Sequence, residues 1–239
     1  MKKIIKYIKQ IIKYYIKFID RRIYINPILK TIITNQFHKL YYDSYEIGKT
    51  WLNTYWFGSI VMKCPFDLWV YQEIIYEIKP DLIIECGTAH GGSALYLASL
   101  CELLNKGKVL TIDIHNESKK PLHKRIRYLH GSSISNVIIK KVKQLSKSSK
   151  NVLVILDSDH HQEHVLQELK LYSQFVTKGN YLIVEDSNIN GHPIFNKFGP
   201  GPKEAINEFL KKTDDFEVDH SREKFYLTFN PGGFLKKIK

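Results

Sequence analysis

The chain has 239 residues, 44% of them hydrophobic, which is enough to bury a full-sized core and excludes a disordered polypeptide. Its net charge is +12, but residues 1–22 carry eight Lys or Arg against one Asp, so the excess is concentrated at one end and is not a nucleic-acid footprint spread over a domain. Cys64, Cys86 and Cys101 form no CxxC pair and leave an odd count, which fits a reducing, cytoplasmic setting better than a disulfide framework.

In residues 1–22, Ile4, Ile5, Ile8, Ile11, Ile12, Tyr15, Ile16 and Ile19 recur at three- and four-residue steps. Lys2, Lys6, Lys9, Lys13 and Lys17 take the other side, the pattern of a basic amphipathic helix. Lysines this frequent exclude both a membrane span and a signal peptide. Such a helix lies on the inner face of an acidic membrane, or packs its Ile face on the protein or on a second subunit, and the sequence leaves both open. Pro27 and the mixed stretch to Tyr42 then read as a connector, dividing the chain into residues 1–50 and one domain over 51–239.

From Trp51 onward strands and helices alternate. Strands are expected at Leu82–Cys86, Val109–Asp113, Ile126–His130, Val152–Asp157 and Tyr181–Glu185, with helices at Ser93–Leu104, Ser135–Leu145, Glu163–Val176 and Lys203–Lys212. Strands apolar on both faces imply a parallel sheet covered by helices on each side. An antiparallel pair, Phe216–Asp219 and Phe225–Phe229, completes a mostly parallel seven-stranded α/β sheet of Rossmann-like kind.

Ligands of open α/β sheets sit beyond the carboxyl ends of the strands. Those ends carry Glu85, Asp113, Asp157, Glu185 and Asp186, with Gly87, Gly91, Gly92 and Gly131 in the loops. A dinucleotide fingerprint would need glycine at Ala89, and Glu85 disfavours a pyrophosphate, so the first loop suits a cationic ligand. Asp113 has the position of an acid that takes a ribose diol. Adenosine with a positive charge at its other end describes S-adenosylmethionine. Asp157, Glu185 and Asp186 would repel one another unless a cation held them, and hard oxygen donors suit Mg2+. His160 follows Asp157 by three residues, where an imidazole can take a proton near neutral pH. His161 is the rival base, and His160 with His164 at i, i+4 is the rival zinc reading. The turn-rich 190–202 reads as a loop over the substrate, with His192 a candidate contact, while Trp51, Trp56, Phe57 and Trp69 fit either an acceptor wall or the core.

The segments "CPFDLWVYQEIIYEIKPDLIIECGTAHGGSALYLA", "GKVLTIDI", "GSS", "VILDSDHHQEHVLQELKLY", "GNYLIVEDSNINGHP", "FGPGPKEAINEFL" and "REKFYLTFNPGGFLKK" resemble, in this order, the cephalosporin hydroxylase family, which includes rhamnosyl and other sugar O-methyltransferases. The resemblance runs from about Trp51 to the C-terminus and leaves residues 1–50 outside it. It implies a class I methyltransferase fold with S-adenosylmethionine as donor and a divalent metal, Mg2+, at the acceptor site. Glu85, Gly87, Thr88, Ala89, His90 and Ser93 fall in the first donor motif. Asp113 falls at the ribose, Gly131, Ser132 and Ser133 beside the adenine, and Asp157 between donor and metal. Asp157, Glu185 and Asp186 match the metal ligands, and His160 falls where related catechol-type enzymes place a lysine base.

The expected activity is O-methylation of a sugar hydroxyl in a glycan or glycosylated metabolite. A natural-product O-methyltransferase is the near alternative and a nicotinamide-dependent oxidoreductase the remote one, which Glu85 and Ala89 disfavour. A non-catalytic basic module is disfavoured by the intact acids at the strand tips. Aromatic residues are not arranged in the basic strips that single-stranded nucleic acid needs.

Overall fold

The computed structural model describes residues 6–15, 26–44, 49–116 and 119–239. Residues 6–15 are helical (α1) and exposed throughout, and the outer parts of the expected amphipathic helix lie outside the described residues. The expected connector contains a helix, α2 (Pro27–Tyr42), started by Asn26, whose side chain accepts the Ile28 and Leu29 amides. A small hairpin, β1 (Tyr55–Trp56) and β2 (Ser59–Ile60), leads to α3 (Pro65–Ile78). Then follow β3 (Leu82–Cys86), α4 (Gly92–Leu103), β4 (Lys108–Asp113), β5 (Ile126–His130), α5 (Asn136–Ser146), β6 (Val152–Leu156), α6 (Gln162–Tyr172), β7 (Tyr181–Val184), α7 (Pro202–Leu210), β8 (Phe216–Val218) and β9 (Phe234–Lys237).

The seven-stranded sheet runs β5-β4-β3-β6-β7-β9-β8, parallel from β5 to β7, with β9 antiparallel to β7 and β8 antiparallel to β9. The chain moves outward from β3 through β4 and β5, then restarts on the other side at β6. The reversal therefore falls between the carboxyl ends of β3 and β6, where open sheets of this kind bind ligands.

Side chains alternate across the sheet and feed two apolar layers. Leu82, Ile84, Leu110, Val154 and Leu182 meet Ile138 and Val142 of α5, Leu169 of α6 and Ile206 of α7. Ile83, Val109, Leu153, Ile155 and Ile183 meet Ile74 of α3 and Leu97 of α4. Each such side chain, once buried, contributes about 1.5–3 kcal/mol. Cys86, Cys101 and Cys64 are free and buried, one in each layer and one in a third cluster. Gly92 opens α4 against the hairpin, where a Cβ would stand 2.0 Å from the Ile60 carbonyl oxygen.

One strand differs from expectation. Phe225–Phe229 is not a strand, and the second antiparallel strand is β9 at Phe234–Lys237. The reason is Asp67, buried in the first turn of α3, whose carboxylate accepts the Phe229 amide at 2.8 Å and the Thr228 hydroxyl. Leu227 and Phe229 are thereby drawn into a cluster with Cys64, Tyr41, Tyr42 and Trp51 instead of into the sheet. His38 of α2 stacks on Phe229, ring centroids 5.8 Å apart, which seats this helix on the domain.

Candidate active site at the strand tips

The loop after β3 passes so close to β6 that a Cβ on Gly87 would lie 1.8 Å from the Asp157 carbonyl oxygen, and Gly87 has φ +96°. Only glycine fits there. Asp113, at the tip of β4, fixes the rest of the loop: Oδ2 accepts the Thr88 and Ala89 amides at 2.9 and 2.8 Å, and Oδ1 accepts the His115 amide at 2.8 Å. Burial works to raise its pKa, but these donors prevail and hold it below the usual carboxylate range. Oδ1 keeps room for a second donor, as a ribose hydroxyl would require.

Glu85 is fully buried beneath this loop. Its Oε2 accepts the Thr111 hydroxyl at 2.6 Å, so the Thr111–Thr88 contact of 2.7 Å is donated by Thr88. Oε1 has no hydrogen-bond partner among the described residues. Burial raises the Glu85 pKa against the pull of Lys63 and of neighbouring hydroxyls. Glu85 therefore backs the loop from inside and acts on a ligand through its field, where the sequence had suggested a place on the rim. His90 is exposed at the loop, and Ser93 is buried in the first turn of α4.

Gly131 and Ser132 are half-buried after β5, while Ser133 turns inward: its hydroxyl meets His164 Nε2 at 3.2 Å and its carbonyl accepts Tyr172 Oη at 2.8 Å. His164 also lies 3.2 Å from the Ser158 hydroxyl, which donates to buried Glu168 at 2.7 Å. Hydrogen bonding to Glu168 raises the His164 pKa, against burial. His164 thus braces the underside of the site. The zinc pair is not formed, because among the described residues His160 clusters with Asp157 and Asp186 and not with His164. His161 caps α6 and is held by Asp159 at 2.7 Å.

Donor atoms of Asp157, His160 and Asp186 all lie within 4.8 Å of one another. His160 Nε2 is 3.2 Å from Asp186 Oδ2. Asp186 is held at φ +53°, a backbone region that side chains other than glycine rarely adopt, with its amide donating to Asn230 Oδ1 at 3.1 Å. Burial raises the Asp186 pKa, opposed by His160.

Glu185 is a different matter. The sequence groups it with Asp157 and Asp186 as a ligand, but its Oε1 lies 2.5 Å from Lys63 Nζ, which also donates to Asp157 Oδ2 at 2.6 Å. Both acids lie past β7, but Asp186 turns to His160 while Glu185 is buried on Lys63. Burial pushes its pKa well above the ordinary value, with Asp157 adding to the shift and Lys63 opposing it. Burial likewise disfavours the Lys63 charge, but Asp157, Glu185 and Glu85 outweigh it and hold the ammonium charged. Lys63 was missed in the sequence; its one local signal is a lysine set in the apolar "IVMKCPF".

The group suits a divalent cation. Two carboxylates and an imidazole converge, a set of oxygen and nitrogen donors that a divalent cation could take.

The segment 190–202 closes one side. The Pro200 carbonyl accepts the Gln162 amide at 3.0 Å, and Phe198 packs on His161 with centroids 5.1 Å apart. His192 Nε2 lies 2.9 Å from Glu204 of α7, which ties the loop to that helix. Phe195, half-exposed, continues an aromatic row from Phe198 to Tyr42, which stacks on Trp51. Trp56 packs edge-on against Tyr96 and donates to Ser99, and Trp69 is exposed beside Glu73, so of the tryptophans only Trp51 belongs to this row.

The family model described as Rhamnosyl O-methyltransferase/CmcI matches residues 48–238. The chain is 39% identical over 209 residues to a rhamnosyl O-methyltransferase of Mycobacterium leprae, covering 85% of this chain and 90% of that protein. A rhamnosyl O-methyltransferase of Mycobacterium bovis (strain BCG) is 39% identical over 210 residues, with 85% and 84% covered. Among solved structures, apo CmcI superposes with a TM-score of 0.61 at 19% identity, covering 79% of this chain and 77% of that one. CmcI with Mg and SAM gives 0.58 at 18% identity, covering 79% and 78%. These two likenesses concern the fold.

Proposed function

Because the chain belongs to the Rhamnosyl O-methyltransferase/CmcI family, we propose that it transfers the methyl group of S-adenosylmethionine to a hydroxyl of a sugar, in a glycan or glycosylated metabolite, with Mg2+ or a like ion in the acidic site. The observation that carries this reading is the meeting, at one sheet edge, of a glycine-cleared loop backed by buried Glu85 with the donor trio Asp157, His160 and Asp186. Relatives named for rhamnosyl O-methylation support a sugar as acceptor.

In this reading Gly87, Thr88, Ala89, His90 and Ser93 hold the donor's charged end, over Glu85. Asp113 receives the ribose, Gly131, Ser132 and Ser133 flank the adenine, and Asp157 borders both halves. Asp157 and Asp186 would hold the cation, with Glu185 bound to Lys63. A divalent ion held there supplies a fixed positive charge that favours the ionised form of the acceptor hydroxyl.

His160 is the proposed base. Its Nε2 lies 3.2 Å from Asp186 Oδ2, and Nδ1 is the nitrogen assigned to take the proton of the acceptor hydroxyl. The acceptor oxygen then forms its bond to the methyl carbon as the carbon–sulfur bond breaks, and the sulfur leaves neutral. Positioning of the two reactants supplies most of the rate. Phe195, Phe198 and Tyr42 are the proposed wall against which the apolar face of the sugar rests.

Residues 6–15 present Ile8, Ile11, Ile12 and Tyr15 to solvent among Lys6, Lys9 and Lys13. This pattern supports a contact surface for an acidic membrane or for another subunit, with residues 1–50 serving docking and 51–239 catalysis. No helix among the described residues is long and apolar enough to cross a membrane.

Incubation with S-adenosylmethionine and a panel of rhamnosyl and other glycosides tests the reading by mass spectrometry. One CH2 is gained by the acceptor, the gain stops with EDTA and returns with Mg2+. Full transfer in EDTA removes the cation from the reading. Methylation of a non-sugar hydroxyl in preference to every glycoside removes the acceptor class.

A further inference from the structure

Lys63 lies just ahead of α3 and has no part in the proton or methyl transfer described above. It is 3% exposed, and lysines are almost never buried to that degree unless paired. Here one ammonium is shared by two carboxylates, at 2.6 Å from Asp157 Oδ2 and 2.5 Å from Glu185 Oε1. The third acid, Asp186, faces His160 instead.

This arrangement pulls in two directions. Without Lys63, the partly exposed Asp157 carboxylate would face the buried Glu185 carboxylate with no counter-charge between them, which is destabilising. With it, any cation entering between Asp157 and Asp186 meets a positive charge already bonded to the same Asp157 carboxylate. Like charges so placed repel more inside a protein than in water.

We propose that Lys63 is a resident counter-cation of this site: it holds Asp157 and Glu185 together in the protein without metal, and it sets an upper limit on how tightly a divalent ion binds. The proposal rests on the divalent-cation reading above and assigns a role to a residue which that reading leaves idle. It also differs from a scaffold role. A lysine that only props up the ligands makes metal binding weaker when removed, whereas a competing charge makes it tighter.

The test uses the full chain and Lys63→Met, with MgCl2 titrated calorimetrically at pH 8 in the absence of donor and acceptor, and thermal unfolding with and without Mg2+. The variant without metal is expected to melt roughly 5–10 °C lower. It should bind Mg2+ roughly tenfold or more tightly and recover more of its Tm on Mg2+ addition than the parent does. Lys63→Gln, which keeps an N–H donor and drops the charge, should shift affinity in the same direction, while Lys63→Arg should stay near the parent. Unchanged or weaker Mg2+ binding in both neutral variants overturns the proposal and leaves the cation site standing. Absence of Mg2+ binding in the parent and in both neutral variants overturns the cation reading and this proposal with it.

Discussion

The imidazole of His38 meets the side-chain amide of Asn188 at 2.9 Å, both residues buried, and so ties α2 to the loop two residues past Asp186. Burial lowers the His38 pKa to about 4, so the ring is neutral in the folded protein. Unfolded, it titrates near 6.5. The unfolded chain therefore binds more protons between these values, and the contribution of His38 to stability is complete above about 6.5 and lost as pH falls towards 4. Urea denaturation at stepped pH should show stability falling across this window by about 3 kcal/mol more in the parent than in His38→Gln. Parallel curves for the two proteins would contradict the buried neutral imidazole.

Asp67 should do the reverse. Burial raises its pKa to about 7, against hydrogen bonds from Thr228 and the Phe229 amide. The folded state then binds the extra proton, so this contribution is full below about 4, declines as pH rises through 7 and is flat beyond. In Asp67→Asn the amide oxygen can still accept Phe229 N–H while its NH2 donates to the Thr228 hydroxyl. The declining slope should vanish from the denaturation series in Asp67→Asn, and at pH 8 the variant should be no less stable than the parent. Asp67→Ala should instead lose roughly 1–3 kcal/mol, because two buried donors lose their acceptor.

Gly87→Ala should be the most damaging single methyl in the donor half. The added carbon would collide with the Asp157 carbonyl oxygen, and the φ of +96° is one that alanine resists. Calorimetry should find S-adenosylmethionine affinity reduced by roughly a hundredfold or more, with stability down by about 2–4 kcal/mol. Donor affinity near that of the parent would show that the loop is free to move off β6.

His160→Ala should lower kcat by roughly 10²–10⁴ with donor affinity little changed. Raising Mg2+ distinguishes the two roles that its position beside Asp186 allows. A base is not rescued by more metal, whereas a ligand is. Recovery of activity at high Mg2+ would therefore move His160 from base to ligand.

Phe195→Ala should raise KM for the sugar acceptor by roughly five- to tenfold and leave KM for the donor alone, since Phe195 stands in the aromatic row proposed as the acceptor wall. Equal effects on both substrates would place the row elsewhere in the reaction.

The parallel sheet was legible because runs such as Leu82–Cys86 and Val152–Leu156 are buried at every position and bounded by acids and glycines. The loop at Gly87, and Asp157, His160 and Asp186, were legible for the same reason, since strand ends announce them. Lys63 was not: its partners are 94 and 122 residues away, and no local pattern encodes such a pairing. Glu185 next to Asp186 illustrates a second limit, because both follow β7, Asp186 at φ +53°, and the sequence does not say which carboxylate faces the site. α3 went unassigned because Leu68, Trp69, Val70, Tyr71, Ile74 and Ile75 crowd most of its circumference and blur the helical period, although Pro65 at its start was a usable signal. Phe225–Phe229 looked like a strand by composition, and only the distant Asp67 diverts it.

The placing of β9 between β7 and β8 has a kinetic consequence. β8 precedes β9 along the chain, yet among the described residues its only neighbour in the sheet is β9, so it has nothing to pair with until the later strand is in place. Closure of this edge must therefore wait for the later segment, whether β9 docks on β7 first or arrives already paired with β8. Amide protons of Phe216–Val218 should exchange at least as readily as those of Phe234–Lys237 at every stage of refolding, because the outer strand cannot gain protection ahead of the inner one.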